Sequence, residues 1–256
     1  MNKNANGFID YFKKKSIFTD SSELSCNWYD TSYSYNIAEA FNVSCSEKSE
    51  WETVKKSLRW VWEKLAFNDF YENTPDYDNL IQFIEFACKN KKSLNCYMRA
   101  IILLELLHNF DIPARLLYFL PLNFSYNGNH VTVEAYIKKM NKWVLIDPSY
   151  NVFFKNINNV LLSGVELRES VLNNEDVVIC DNSRFKFSQR DIGKLNKNYF
   201  DMIIPLLGVL QFQGKNHPEQ FIRLTDIANY LPQNVIENER KEGIVYTIQK
   251  KDLYNK

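Results

Sequence analysis

A chain of 256 residues with 45% hydrophobic content can bury one substantial core. Lys plus Arg and Asp plus Glu both number 31, so the formal net charge is zero, which predicts no nucleic-acid partner and no membrane-surface partner. Five widely spaced cysteines, three scattered histidines and the lack of a glycine-rich phosphate loop predict free thiols, no bound metal and no cofactor.

Residues 1–50 are predicted to be an N-terminal extension, packed on the core as short helices and loops. The first 16 residues contain no uninterrupted apolar segment and no small-residue cleavage site, so they do not predict a signal peptide. The longest apolar run, residues 200–212, is too short to span a bilayer and is interrupted by Asp201 and Pro205. We therefore expect a cytoplasmic protein.

Three helices are predicted next along the chain. Residues 51–65 and 76–90 repeat apolar side chains at the three-to-four spacing of an amphipathic helix. The helix that begins at Cys96 is apolar almost all round, which predicts burial. A cysteine at its first turn is either a small core side chain, the commoner fate of a free thiol, or a thiolate held by the positive end of the helix.

Strands follow these helices. Residues 114–120, 130–138 and 142–148 are rich in β-branched and aromatic side chains, and a short polar turn joins the last two segments into a hairpin. The later pattern predicts strands at 177–180 and 184–187 and helices near 190–212 and 218–230.

Helices followed by an antiparallel sheet predict an α+β fold. We expect a core over residues 51–160. A C-terminal α/β extension over residues 161–256 is expected to be part of the same globular unit.

The predicted hairpin brings a histidine and an aspartate together. A two- or four-residue loop pairs residues whose numbers sum to 279, which sets Asp147 opposite Thr132. Asp147 is then a diagonal neighbour of His130 on the same face, whereas a slip of one residue would send it to the opposite face. With Cys96 opening the preceding helix, the sequence offers three chemically complementary side chains: Cys96, His130 and Asp147.

The segment 94–149 resembles the core of the transglutaminase-like superfamily, which shares the architecture of the papain-like cysteine enzymes. The motifs that carry the resemblance are Cys96 at a helix start, DIPAR at 111–115, HVTVE at 130–134 and WVLIDPS at 143–149, in the family's order and spacing. The resemblance implies a catalytic cysteine at a helix N-terminus, packed on an antiparallel sheet. Residues 51–160 would form this catalytic core.

The sequence departs from the family pattern without losing a reacting group. Leu94 stands where the family often has glycine, Asp111 replaces the usual glycine before I-P-A-R, and Val131 and Thr132 replace A-W. These changes leave the substrate preference open. The side chain that completes an oxyanion hole is not identified either.

The resemblance implies a Cys-His-Asp triad that uses no cofactor. Cys96 would attack an acyl carbon, His130 would carry the proton, and Asp147 would fix the imidazole tautomer and support its charge. A helix N-terminus and an adjacent imidazolium favour the thiolate form of a cysteine. The first backbone N–H of the helix would stabilise the oxyanion.

Three function classes follow from this chemistry. The first is amide hydrolysis or transamidation, as in a protease-like or transglutaminase-like enzyme acting on a peptide or protein. The second is an intracellular amide synthase that joins a carrier-protein-bound acyl thioester to a small amine acceptor. The third is an inactive binding protein of the same fold. The sequence does not give the oligomeric state.

Several other residues have predicted roles near this site. Glu134 shares the face of His130 and is the alternative orienting group, and Arg115 is predicted to pair with an acid behind the site. The loop at 121–129 leads into His130, so Phe124 and Tyr126 could wall the site, or the loop could be an ordinary connection. Ordinary packing or surface roles are expected for the remaining cysteines and histidines: Cys26, Cys45, Cys88, Cys180, His108 and His217.

Overall fold

The computed structural model describes residues 29–67, 79–121, 128–181, 199–207, 209–213, 221–224 and 244–247. Within these ranges the helices are α1 (Ile37–Ala40), α2 (Glu50–Lys64), α3 (Leu80–Asn90), α4 (Cys96–His108) and α5 (Gly164–Leu172), and residues 199–203 are also helical. A short parallel pair consists of β1 (Ala66–Phe67) and β2 (Ser93–Leu94). The other strands are β3 (Ala114–Leu120), β4 (His130–Ile137), β5 (Lys142–Asp147), β6 (Val152–Asn156), β7 (Val177–Asp181), β8 (Val209–Gln213), β9 (Phe221–Leu224) and β10 (Ile244–Thr247).

Side-chain caps fix where the helices begin. The Ser49 hydroxyl accepts the Glu52 N–H at the start of α2, at 3.2 Å. The Asn95 side chain accepts the Met98 N–H at 3.0 Å, so α4 begins at Cys96. Because an N-cap side chain satisfies one of the four free N–H groups of the first turn, these caps set the helix register.

The main sheet is antiparallel over most of its width. In the described part of the chain it has eight strands in the order β10-β9-β8-β3-β4-β5-β6-β7, and only the β9–β10 pair is parallel. In the hairpin, Val133 lies opposite Ile146 and Glu134 lies opposite Leu145, so paired residue numbers sum to 279. The predicted register is confirmed.

Two apolar cores cover the two faces of this sheet. The first core packs α2, α3 and α4 against the odd-numbered side chains of β4, such as Val131 and Val133. The second core covers the face of Tyr136, Leu145 and Phe154 with α5 and with residues 199–212. The sheet is therefore buried on both sides, which agrees with the predicted α+β class.

The helix predicted near 190–212 is confirmed over residues 199–203 and is wrong over 209–212, and the helix predicted near 218–230 is wrong over 221–224. Residues 199–203 are helical, but Pro205 lies in a short 3-10 turn and the chain then enters β8, while residues 221–224 form β9. A short apolar run does not distinguish a strand from a helix by its spacing. Here β3 offers an edge that β8 pairs with, and backbone pairing decides the conformation.

Some predictions lie outside the described residues. These are the strand at 184–187, residues 190–198 of the first C-terminal helix and the loop side chains Phe124 and Tyr126. The predicted strand at 177–180 is confirmed as β7. Among the described residues, no helix is both long enough and apolar enough to cross a bilayer.

Candidate active site

Cys96 is the first residue of α4. Its side chain is partly exposed and packs against the core on the helix side of the sheet. The first N–H groups of a helix have no carbonyl partner within it, and the helix dipole makes this end positive. The thiol therefore lies where negative charge on sulfur, or on an attacked carbonyl oxygen, is stabilised.

His130 and Asp147 lie together on neighbouring strands. His130 begins β4 and Asp147 ends β5, and their side chains share a face because the hairpin register is the one predicted. The His130 Nε2 is 2.7 Å from the Asp147 Oδ2. Both side chains are buried, with 3% and 0% of their surface exposed. This bond leaves Nδ1 as the ring nitrogen that can serve the thiol.

The imidazole also lies near enough to the Cys96 side chain for the two to interact electrostatically. Burial by itself lowers the pKa of His130, but the charge and hydrogen bond of Asp147, followed by the influence of Cys96, outweigh it and raise the pKa to about 10. The imidazolium form is thus favoured at neutral pH. The structure brings all three predicted residues together, while their catalytic roles remain a prediction.

Asp147 has two further hydrogen-bond donors. The Ser149 backbone N–H donates to Oδ1 at 2.8 Å, within the turn that follows β5. The Tyr199 hydroxyl donates to Oδ2, also at 2.8 Å. Tyr199 was missed in the sequence because it lies 52 residues beyond Asp147 and no local pattern marks it. The carboxylate is held from three directions.

Aromatic side chains surround the imidazole. Phe119 stacks on the His130 ring at 6.4 Å between centroids, and Tyr150 and Tyr199 approach it at 5.9 Å and 6.4 Å. Burial, and then the neighbouring Tyr97 and Cys96, raise the pKa of Tyr118 above its usual range. Such an apolar setting strengthens the electrostatic interactions of the site, since water screens them less.

Arg99 connects the cysteine helix to α2 and to the turn that follows β5. It is one turn beyond Cys96 and only 1% exposed, and its guanidinium donates to the carbonyl oxygens of Ser149 at 3.1 Å and of Val61 and Trp62 at 3.2 Å. Burial lowers the pKa of Arg99 to about 10, against the opposing influence of Asp147. A lone arginine within an apolar helix is a signal that sequence analysis could have used.

Arg115 and Glu134 form a separate buried pair. The Arg115 Nε and Nη2 donate to one Glu134 oxygen at 2.9 Å and 2.6 Å, and the Gly164 N–H donates to the other at 2.6 Å. The Arg115 guanidinium also lies over the rings of Trp143 and Phe212. The predicted partner acid of Arg115 is therefore Glu134, and Asp147 rather than Glu134 contacts His130.

The remaining described cysteines and His108 lie elsewhere. Cys45 and Cys88 are exposed and Cys180 is partly exposed, and burial raises the pKa of both the Cys88 and the Cys180 thiols. His108 is buried and hydrogen-bonds to the Ala114 carbonyl. Cys26 and His217 lie outside the described residues. Within the described ranges, no three His, Cys, Asp or Glu side chains are arranged to hold a metal ion.

A cavity of about 560 Å³ lies at the turn end of the β4–β5 hairpin, the end opposite to His130 and Asp147. Its lining includes Tyr136, Trp143 and Glu166. It is thus separate from the three candidate residues, which lie where β4 begins and β5 ends.

The thiol on a helix N-terminus, with an imidazole and a carboxylate on an antiparallel sheet, defines a core of the papain-like type. Residues 36–148 match the family model described as the Transglutaminase-like superfamily. The match confirms the resemblance seen in 94–149. The family's glycine before I-P-A-R is explained too, because Asp111 adopts a φ of 55°, a left-handed conformation that glycine takes most easily.

One solved structure similar to this chain is that of a candidate cysteine protease from Cytophaga hutchinsonii. The two are 13% identical, the TM-score is 0.32, and the alignment covers 71% of this chain. It covers 52% of the other protein, so this chain spans about half of that structure's length. The comparison with curated proteins found no match.

Proposed function

We propose that this protein is a cysteine-dependent acyltransferase that acts on amide bonds through a thioester on Cys96. The observation that carries the proposal is the His130 imidazole, which is hydrogen-bonded at 2.7 Å to the Asp147 carboxylate and lies near enough to the Cys96 side chain for that side chain to raise its pKa. The match of residues 36–148 to a superfamily of cysteine enzymes supports it. A buried structural cysteine would not need such a partner.

The proposed first half-reaction forms the thioester. The Cys96 Sγ attacks the acyl carbon, a C–S bond forms, and the carbonyl oxygen takes the negative charge next to the Cys96 N–H. When the tetrahedral intermediate collapses, the C–N bond breaks and the His130 imidazolium gives its proton to the leaving amine. Asp147 keeps the imidazole oriented and balances its charge throughout.

The second half-reaction returns the enzyme to its resting state. Water or an amine gives a proton to His130 and attacks the thioester carbon, and the Cys96 thiolate leaves. Water yields an acid, as in hydrolysis, and an amine yields a new amide, as in transamidation. A loop that keeps water out would favour the amine. That role, predicted for residues 121–129, stays a prediction because residues 122–127 lie outside the described ranges.

Intact-protein mass spectrometry tests the proposal. The protein would be incubated with a panel of peptide amides and carrier-protein acyl thioesters, with and without a small amine. We expect one acyl adduct, mapped to Cys96 and absent from Cys96→Ala. Cys45→Ala is the matched control, because it removes an exposed thiol and should leave the adduct in place.

The same experiment separates the alternatives. Release of free acid indicates a hydrolase, release of the coupled amide indicates transamidation or amide synthesis, and a preference for carrier thioesters indicates the amide synthase. Binding of a donor with no adduct would indicate an inactive binding protein. An adduct that persists in Cys96→Ala, or no adduct with any donor, would contradict the proposal.

A further inference from the structure

We infer that Tyr199 is a positioning residue of the triad, which shares the Asp147 carboxylate with His130 and so makes the imidazolium a better proton donor. The inference rests on the proposed function, since a proton donor matters only if Cys96 is acylated. It assigns a role to a residue outside the matched family segment 36–148.

The contact geometry is specific. Asp147 Oδ2 accepts from the His130 Nε2 at 2.7 Å and from the Tyr199 hydroxyl at 2.8 Å, while Oδ1 accepts the Ser149 N–H. Tyr199 is 2% exposed and Asp147 is 0% exposed. Two donors therefore share one oxygen atom in a site with little access for water. Removing one of these hydrogen bonds should change the strength of the other.

The Tyr199 ring is fixed by its neighbours. It meets Tyr150 edge-on at 5.3 Å between centroids and Phe154 at 5.4 Å, and it approaches the His130 ring at 6.4 Å. Residues 199–203 are helical and contribute to the core on this face of the sheet. The packed rings therefore hold the Tyr199 hydroxyl within hydrogen-bonding distance of Asp147.

The hydroxyl stays a donor over the working pH range. Burial, and then the charge and hydrogen bond of Asp147, raise the pKa of Tyr199 well above 10. A neutral phenol that donates to a carboxylate stabilises its charge and lowers its attraction for other protons. Tyr199 therefore weakens the hydrogen bond and ion pair between Asp147 and the imidazolium without removing them.

The groups that face this network come from four segments. Cys96 and Arg99 lie on α4, His130 on β4, and Asp147 on β5 with Tyr150 just after it; Tyr199 comes from the helical turn on the other side. Cys96 and Asp147 favour the imidazolium, and burial opposes it. Tyr199 carries no charge, and its hydroxyl hydrogen-bonds directly to the Asp147 carboxylate.

The substitution Tyr199→Phe tests the positioning role, because it keeps the ring and removes only the hydroxyl. The matched control is Tyr136→Phe, which removes a buried hydroxyl bonded to Asn141 at 2.6 Å. Tyr136 lies on the same strand as His130, six residues or about 20 Å away. Each variant removes one hydrogen bond made by a buried tyrosine, so a purely structural effect should be similar in the two.

The first readout is the imidazole proton resonance in ¹H–¹⁵N NMR spectra, which needs no substrate. The chain has three histidines, and the His130 signal is identified by its loss in His130→Gln. We expect the Nε2 proton to move downfield in Tyr199→Phe, because Asp147 then bonds to the imidazolium more strongly, and to stay in place in Tyr136→Phe. A resonance that does not move downfield, or that moves equally in both variants, overturns the inference.

The second readout compares two donors of the acyl group that mass spectrometry finds on Cys96. With its amide, the leaving amine needs the His130 proton, so kcat should fall about ten-fold in Tyr199→Phe with KM unchanged. With its benzyl thioester, the thiolate leaves without a proton and kcat should change less than about two-fold. An equal loss with both donors would indicate a structural role and overturn the inference.

Failure of the proposed function is distinguishable from failure of this inference. If the wild-type protein forms no adduct with any donor, the function is wrong, yet the NMR comparison still decides whether Tyr199 acts on His130. If adducts form and neither the resonance nor the amide rate responds to Tyr199→Phe, the function stands and the positioning role is wrong.

Discussion

Asp147→Asn is the most direct perturbation of the charge balance in this site. The substitution nearly preserves the shape of the side chain but removes its charge and sets an amide beside the His130 Nε2. In the native protein the carboxylate is the main influence that raises the His130 pKa against the effect of burial. Without it, only the Cys96 side chain still opposes burial, so the imidazole binds its proton much less tightly.

The magnitude follows from the pKa. A rise from the ordinary 6.5 to about 10 corresponds to roughly 5 kcal/mol in favour of the imidazolium. Asp147→Asn should lower the pKa of His130 well below about 10. Acylation of Cys96 at about pH 7 should then fall by about a thousand-fold or more, as expected when the orienting carboxylate of a triad is lost.

The pH dependence of the free energy of unfolding is a second, independent test of the raised His130 pKa. Because the folded-state pKa of His130 is raised, its contribution to stability is complete below pH 6.5 and is lost as the pH rises towards about 10. The difference in free energy of unfolding between the wild type and Asp147→Asn should therefore shrink between about pH 6 and about pH 9.

Urea denaturation over this pH range and single-turnover acylation are the assays. Asp176→Asn is the matched control, since it makes the same chemical change at an exposed position. The reasoning is refuted if Asp147→Asn acylates within a few-fold of the wild type. It is equally refuted if the stability difference does not depend on pH.

Three further substitutions test the packing around the site by chemical denaturation. Arg99→Met should cost about 3 kcal/mol, because three buried carbonyl groups lose a charged donor; a loss below about 1 kcal/mol would contradict this. Glu134→Gln should cost about 3–5 kcal/mol by leaving the Arg115 cation uncompensated, and adding Arg115→Met should restore part of that loss. Gly164→Ala should cost more than 1 kcal/mol, roughly the price of overpacking, because an added Cβ would overlap the Leu117 side chain and crowd Glu134; unchanged stability would show that Leu117 moves aside freely.

The parts of the site that could be predicted are those set by local sequence. The position of Cys96 follows from helical periodicity and from the capping side chain of Asn95 just before it. The approach of His130 to Asp147 follows from strand alternation and a short hairpin, and it needs no knowledge of the rest of the fold. Short-range rules suffice because these segments are close in the chain.

The parts that could not be predicted depend on contacts distant in sequence. Tyr199 reaches Asp147 across 52 residues, and its neighbourhood is read from the sequence as an ordinary apolar helix. The strand at 209–213 was mistaken for the end of that helix, since only the free edge of β3 selects the extended form. Arg99 could have been noticed as a charge within an apolar helix, but the carbonyl groups it binds belong to α2 and to the turn after β5.

The matched family segment does not contain all the residues that hold the candidate site together in this chain. It ends at residue 148, just after Asp147, but the donors to that carboxylate include the Ser149 N–H and the Tyr199 hydroxyl, which both lie beyond it. The same C-terminal part covers the His130 face of the sheet and pairs β8 with β3. Because a buried carboxylate is stable only when its hydrogen bonds are satisfied, the position of Asp147 beside His130 depends on how the C-terminal part packs. The proposed reactivity of Cys96 would therefore depend on residues that do not touch the thiol.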